Sequence, residues 1–451
     1  LCYVVVFAAV VLAIRKWWSR TGCFFDAEKS WPTVPLGKLL LIAAVVGLLG
    51  LASYPARHFF PSFSAKRSPS PPAPGPNIVL IILDAVRADH LSAYGYARPT
   101  TPELDRLAVR GALFENAVAP SSWSLPSLVS IFTGLLPHQH GSNIYVPQGT
   151  AIRTLAEVLS SWGYETAGFT ANLYYGQSSW GMDQGFQVYE DDSLSLRHNL
   201  ARTVVGRTLI QPLYGYCIQL YDVFDRRNAR EINRDVGRWL QRRSTQPFFL
   251  FVHYFDTHDP YYAPPPYDTR FGRISEAALR RMYSNEGLEG RRRLTHEEHL
   301  SLIAGYDNCL AFLDEQLGQL FRFLASSPAW SNTVVIITSD HGEAFGEHAS
   351  SRHGANLYRE VLHVPLIIFG PGIPAGLRIP YAASLRQIFP TVLDLVRSGS
   401  IPPHYSLRRY WTPGFRPEPW DDEAVSELLS DCEGPEPEAI ISLMTSELSL
   451  I

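Results

Sequence analysis

Several residues of ligand and nucleophile type stand just beyond short apolar runs. Ile78–Leu83 leads into Asp84, and Phe248–Val252 leads into His253, Asp256 and His258. Val334–Ile337 leads into Asp340-His341-Gly342-Glu343. Two carboxylates and an imidazole delivered from such distant stretches could hold a divalent cation. Taken singly, Asp84 and Asp340 read as helix caps and His341 as a loop residue. Three runs ending alike favour the metal reading. A further stretch, Ser121-Ser-Trp-Ser-Leu-Pro-Ser-Leu-Val-Ser-Ile-Phe-Thr-Gly134, has Pro126 where a first helical turn accepts it and Gly134 where a helix ends. That sets Ser124 at the helix entrance, where free N–H groups and the dipole favour an anion. A hydroxyl there beside a cation could attack phosphorus or sulfur. Alone, Ser124 is only a capping serine.

The elements that carry these residues read as α/β. The three runs, with Pro365–Phe369, are rich in Ile, Val, Leu and Phe, as suits strands buried on both faces of a mostly parallel sheet. Between them, Pro102–Val109 has the signals of a short helix. Leu300, Ile303, Leu310, Leu313, Leu317, Leu320 and Leu324 recur at helical spacing. Ligands of such sheets bind beyond the carboxyl ends of the strands. His253, inside its strand, reads as packed rather than catalytic. Arg87 and Asp89 read as an ion pair that fixes a loop.

The remaining sequence bounds the possibilities. With 39 Lys and Arg against 43 Asp and Glu, the formal charge is −4, which argues against a nucleic-acid partner. The five cysteines are scattered, so neither a disulfide scaffold nor a cysteine zinc site is predicted. Leu1–Ile14 and Leu39–Tyr54 are apolar runs flanked by Trp and cations, and residues 1–54 read as two transmembrane segments, the first truncated. Arg15, Lys16, Arg20, Lys29 and Lys38 between them predict a cytoplasmic loop. The chain after Tyr54 is then membrane-anchored and extracytoplasmic. Residues 55–76 form a Pro-rich linker, and 77–451 a catalytic domain.

Together these motifs resemble the sulfatase family of the alkaline phosphatase superfamily, in its membrane-tethered branch. The stretch from Asn77 to Gly95 with Pro99–Leu107 is similar to the family's opening. Ser124-Leu-Pro-Ser-Leu128 with Thr133-Gly134 and His140-Gly141 falls where the family keeps its nucleophile. Ser339–Glu343, Gly346-Glu-His348, His353-Gly354 and Val364–Ile368 match its second metal half, and Ser384–Leu395 its late helix. The resemblance covers about Asn77 to Ser430. It implies an alkaline-phosphatase-like mixed, mostly parallel sheet flanked by helices. It implies one divalent ion (calcium, manganese or zinc) on Asp84, Asp340 and His341, touched also by Ser124. Ser124 would be the nucleophile, while His258 and His353 would face the ester.

Three departures bear on the chemistry. Leu128 stands where the family's modification motif has Arg, which speaks against formylglycine at Ser124. Ala85 replaces a second Asp, and Phe169-Thr-Ala-Asn-Leu-Tyr174 replaces a cationic sulfate clamp. The sequence therefore predicts a metal-dependent hydrolase of sulfate esters or phosphodiesters, acting on a sulfated or phosphorylated small molecule, glycan or lipid. Two alternatives stand beside it, a phosphoglycerol- or phosphoethanolamine-type transferase and a non-catalytic binding protein.

Overall fold

A computed structural model describes residues 75–191, 226–284, 294–399, 401–429 and 439–450. All of them fall in one compact unit that comprises 66–192 and 226–451. Both apolar N-terminal runs, and the linker up to residue 74, lie outside the described residues. Among the described residues, no helix is long and apolar enough to cross a membrane.

The centre is strand β1, Asn77–Leu83, whose seven residues are all buried. A strand covered on both faces has no polar side, and this is why the sequence shows an unbroken apolar run there. In chain order come α1 (Pro102–Ala108), β2 (Ala112–Val118), α2 (Ser124–Thr133), α3 (Leu155–Ser161), β3 (Glu165–Thr170) and β4 (Val188–Glu190). Then follow α4 (Ala229–Arg242), β5 (Phe248–Tyr254), α5 (Glu276–Ser284), α6 (His296–Ala325) and β6 (Thr333–Thr338). The two-residue strands β7 (Ala344–Phe345) and β8 (Ser351–Arg352) precede β9 (His363–Phe369), β10 (Leu377–Ser384) and α7 (Ile388–Val396). The last strands are β11 (Ala424–Leu429), β12 (Ala439–Met444) and β13 (Ser449–Leu450).

Eight strands form one sheet in the order β10-β2-β9-β6-β1-β5-β3-β4. Only β9 runs against its neighbours, so the sheet is mixed and mostly parallel, as the sequence suggests. Register sets the site. Ile82 pairs with His253 on one side and with Thr338 on the other, so β1, β5 and β6 end side by side. Ile78, Leu80 and Ile82 pack with Leu125, Val129 and Phe132 of α2, Leu155 and Leu159 of α3, and Ile388 and Val392 of α7. Val79 and Ile81 point to the opposite face by strand alternation, and helices α1 and α4 each pack against α6.

Local sequence explains where the helices begin. Asn228 and Thr295 each cap a helix by accepting from the N–H of Glu231 and Glu298, and each donates its own backbone N–H back to that carboxylate. Helix α1 has no side-chain cap of its own. Asp314, on α6, accepts from the N–H groups of Glu103 and Leu104 at 2.8 and 2.9 Å instead. Strands β11–β13 form a separate small sheet that the sequence does not reveal. It is tied in where Ser426 donates to the carbonyl of Ala119 and Glu427 N–H to that of Pro120.

Candidate active site

Asp84 follows β1, Asp340 follows β6, and His253 is the penultimate residue of β5. All three are fully buried, and their ligand-type atoms lie within 4.8 Å of one another. Nε2 of His341 is 3.9 Å from Oδ1 of Asp84 and 3.5 Å from Oδ2 of Asp340.

Hydrogen bonds show which of these atoms are committed. Oδ2 of Asp84 accepts from Asn172 Nδ2 at 3.0 Å and from His253 Nε2 at 3.0 Å. Oδ1 of Asp340 accepts from the N–H groups of Ala85 and His341 at 3.3 and 3.0 Å. Their other oxygens, Oδ1 of Asp84 and Oδ2 of Asp340, are buried without a hydrogen-bond partner. A buried carboxylate oxygen left bare is costly unless a cation neutralises it. His341 Nδ1 donates to the carbonyl of Gly342 at 2.9 Å, which leaves its Nε2 lone pair free. Two bare carboxylate oxygens and one bare imidazole nitrogen thus converge, and this donor set fits a divalent cation. His253 is of ligand type too, but its Nε2 proton is spent on Asp84. It therefore acts by fixing the orientation of that carboxylate.

Ser124 is the first residue of α2, and its buried Oγ lies 3.0 Å from Nε2 of His341. Since that nitrogen carries no proton, the serine hydroxyl donates to it. Pro126 in the first turn and Gly134 at φ 75° bound the helix as the sequence suggests. Ser127 of the same turn donates to the carbonyl of Asp340 at 2.6 Å and locks the helix entrance to the end of β6.

His258 and His353 both join this group. The rings of His341 and His353 are 4.1 Å apart, and those of His353 and His258 5.0 Å. His258 Nδ1 lies 2.9 Å from Oδ1 of Asp259. Burial disfavours its charged form, but the charge and hydrogen bond of Asp259 outweigh this and push it up to about 9. His353 is held well below its ordinary value by burial and by the nearby charge of His258. Its Nδ1 is 3.0 Å from Oε1 of Glu343, whose carboxyl burial and the nearby Asp259 push well above the usual range. His353 and Glu343 thus meet in one hydrogen bond, in a setting where burial disfavours charge on either partner. Asp340 is likewise raised by burial and by the charge of Asp84. In Asp84, burial is overcome by the hydrogen bond from His253 and the charge of His258, which hold the group below its usual range.

Shape around the site depends on small residues and aromatic rings. A Cβ on Gly354, which has φ +84°, would come within 1.8 Å of the Trp123 ring, so the loop carrying His353 can lie flat on that ring only with glycine. Trp123 also meets Tyr175 edge-on, and Tyr175 meets Trp180, which makes an aromatic wall beside Ser124. Ala85 has φ 58°, a left-handed conformation unusual for a residue with a Cβ, and this turn aims its N–H at Asp340.

The sequence leaves Asn172, Asp259 and Glu343 without a role, and it treats His253 as packing alone. His253 is indeed packed, yet it also bonds Asp84. The hint was a histidine at the exit of a wholly apolar strand. Arg87 is paired as expected, at 2.8 Å from Asp89, and also at 2.7 Å from Glu347. His348 is directed elsewhere, to Glu360 at 2.8 Å.

A family model described as Sulfatase matches residues 76–398. The chain belongs to the sulfatase family. That membership makes it a hydrolase of the sulfuric-ester type. Its curated relatives include a sulfatase of Formosa agariphila, 25% identical over 71% of this chain and 69% of the relative. Another is arylsulfatase K of Homo sapiens, 26% identical over 79% of this chain and 68% of the relative. Among solved structures, the phosphonate monoester hydrolase of Agrobacterium radiobacter superposes with a TM-score of 0.64. It is 23% identical, with 83% of this chain and 86% of that chain covered, and so shows a shared fold.

Proposed function

We propose that the protein cleaves sulfate esters by attack of Ser124, with one divalent cation held by Asp84, Asp340 and His341. The observation that carries this is the hydroxyl of Ser124 on the bare Nε2 of His341, next to the two partnerless carboxylate oxygens. A divalent cation bound there would supply charge neutralisation and lower the pKa of a neighbouring hydroxyl. The chain's own groups do the rest. Without the cation, His341 Nε2 accepts the hydrogen bond of Ser124 and so keeps its oxygen beside the ligand atoms; the same lone pair would serve the cation instead. His258, cationic at neutral pH, donates a proton to the departing alkoxide. His353 offers a hydrogen bond to the ester, and burial disfavours a second positive charge on it beside His258. Relatives named arylsulfatase support sulfate as the transferred group, which passes to Ser124 as the alcohol departs and is then cleared by water.

Leu128 favours a second reading, a phosphodiester or phosphonate ester. This residue stands where the family's modification motif has Arg and is fully buried, so it offers no charge to the ester. A plain serine alkoxide suits phosphoryl transfer, and the structural relative from Agrobacterium radiobacter is itself named for phosphonate monoesters. The substrate class proposed is a sulfated or phosphorylated small molecule, glycan or lipid. Membrane attachment through residues 1–54, with the catalytic domain outside the cytoplasm, is proposed on the apolar runs and their flanking charges.

The deciding experiment measures turnover of chromogenic aryl sulfate and of bis-aryl phosphate with added divalent cation, in wild type and Ser124→Ala. Metal-dependent turnover lost in the variant supports the mechanism. Unchanged turnover in Ser124→Ala sinks it. The preferred ester assigns sulfur or phosphorus, and a group appearing on an added acceptor rather than in water assigns transfer.

A further inference from the structure

The sheet has a second edge, opposite the site. Register places the starts of β3, β1, β5 and β6 in one row, since Glu165 pairs with Phe248, Ile78 with Phe249 and Asn77 with Thr333. The end of antiparallel β9 and the start of β2 join the same row, where Ala112 pairs with Ile368. Strands of six or seven residues separate this edge from the catalytic one by about 20 Å.

This edge is rich in arginine laid over aromatic rings. Arg110 lies 6.0 Å from the Trp330 ring centre and 5.8 Å from that of Phe369. Arg243 is 4.5 Å from Phe248, and Arg397 is 4.1 Å from Trp162. Arg110, Arg242 and Arg397 are exposed, and Val109 beside them is 66% exposed. Between the ends of α4 and α6, a cleft lined by Leu240, Phe323 and Trp330 opens on the same side. Glu165, the acidic residue of this row, is occupied by bonds from Ser244 N–H and Oγ.

The chain from the linker enters at this edge. The carbonyl of Pro76 accepts from Tyr164 at 2.9 Å, and that of Gly75 from Asn332 at 3.4 Å. A Cβ on Gly75 would lie 2.5 Å from the Tyr164 hydroxyl and 3.1 Å from the Val396 carbonyl. Gly75 is thus pinned between the Arg397–Trp162 and Arg110–Trp330 pairs. The apolar runs of residues 1–14 and 39–54 precede that point in the sequence.

We propose that this arginine- and tryptophan-bearing edge seats on an anionic lipid surface, with the catalytic edge turned away from it. The inference rests on the membrane attachment proposed above and adds which face meets the bilayer and which lipid charge it selects. Arg pairs with lipid phosphates, and Trp and Val favour the headgroup layer.

The test reconstitutes the full chain into nanodiscs of phosphatidylcholine alone or with phosphatidylglycerol, and follows backbone hydrogen exchange. Expected is slower exchange of 108–111, 241–246, 326–332 and 397–399 in the anionic discs, with 347–357 unchanged. The difference should vanish in half-molar salt and in an Arg110→Glu/Arg243→Glu/Arg397→Glu variant. Each lost arginine should weaken seating about fivefold. Turnover of a soluble chromogenic ester checks that the variant is folded, and the salt arm needs no variant. Equal exchange in the two lipids, or protection at 347–357 instead, overturns the docking face while leaving attachment intact. A chain that does not enter nanodiscs overturns attachment and docking together, and ester turnover reports independently on the hydrolase reading.

Discussion

Replacing Asp340 by Asn should make the metal-free protein more stable while abolishing its response to cations. Asp84 and Asp340 bring ligand atoms within 4.8 Å of each other in a fully buried setting. Two unit charges at that separation repel by about 3 kcal/mol at an effective dielectric constant of about 20. The histidines nearby offset part of this, leaving about 2 kcal/mol to recover. The folded pKa of Asp340 lies above the ordinary 3.8, raised by burial and by Asp84. The penalty is therefore absent in acid and grows as the pH rises. Asn keeps the oxygen that accepts from Ala85 and His341 and replaces only the partnerless one. Urea unfolding of the full chain in mild detergent at neutral pH, followed by tryptophan fluorescence, would measure the effect. In chelator, the variant should exceed wild type by about 2 kcal/mol. With cation at about a hundred times its dissociation constant, wild type should gain about 2.7 kcal/mol and the variant far less. A variant that is less stable than wild type in chelator, or one that gains equally from the cation, would refute the reasoning.

Two further outcomes follow from groups around this cluster. His258 has a folded pKa of about 9 against an ordinary 6.5, so its contribution to stability is complete below 6.5 and is lost as the pH rises through 9. In the proposed mechanism the same proton feeds the leaving group, so kcat/KM should fall along a limb near pH 9 that disappears in His258→Gln; a limb that stays in place excludes His258 as the donor. Asp314→Ala removes the carboxylate that caps α1 through the N–H groups of Glu103 and Leu104. It should cost about 1–3 kcal/mol in unfolding free energy with turnover of the remaining folded enzyme unchanged, and a drop in turnover per folded molecule would contradict the purely structural role.

The parts of the fold that could be read from sequence are those where burial is symmetrical. Strands β1, β5 and β6 are covered on both faces, so their residues form continuous apolar runs, and the polar residues after them mark the carboxyl edge. Ser124 was legible through Pro126 and Gly134, which have narrow positional uses in a helix. His253 was harder, because β5 continues one residue past it to Tyr254 and its meaning comes from register with Ile82. Asn172 sits after a different strand, and nothing local in Thr170-Ala-Asn-Leu173 signals that its amide reaches Asp84. Glu343 and Asp259 matter through hydrogen bonding and charge across the site, quantities set only once the chain has folded. The β11–β13 sheet escaped because its strands are short and partly exposed.

The order of the strands also governs when the enzyme comes into being. Ala85 and Asp340, which meet through a hydrogen bond, are 255 positions apart, and β6 lies directly beside β1 in the finished sheet. A ribosome must therefore release most of the polypeptide before the two halves of the pocket can coexist. Prematurely terminated products that stop short of Thr333 carry Ser124 but lack Asp340 and His341, and they would be inert towards ester. Incomplete translation thus yields no hydrolytic by-product, and competence arrives only after the segment carrying Asp340 and His341 has been made.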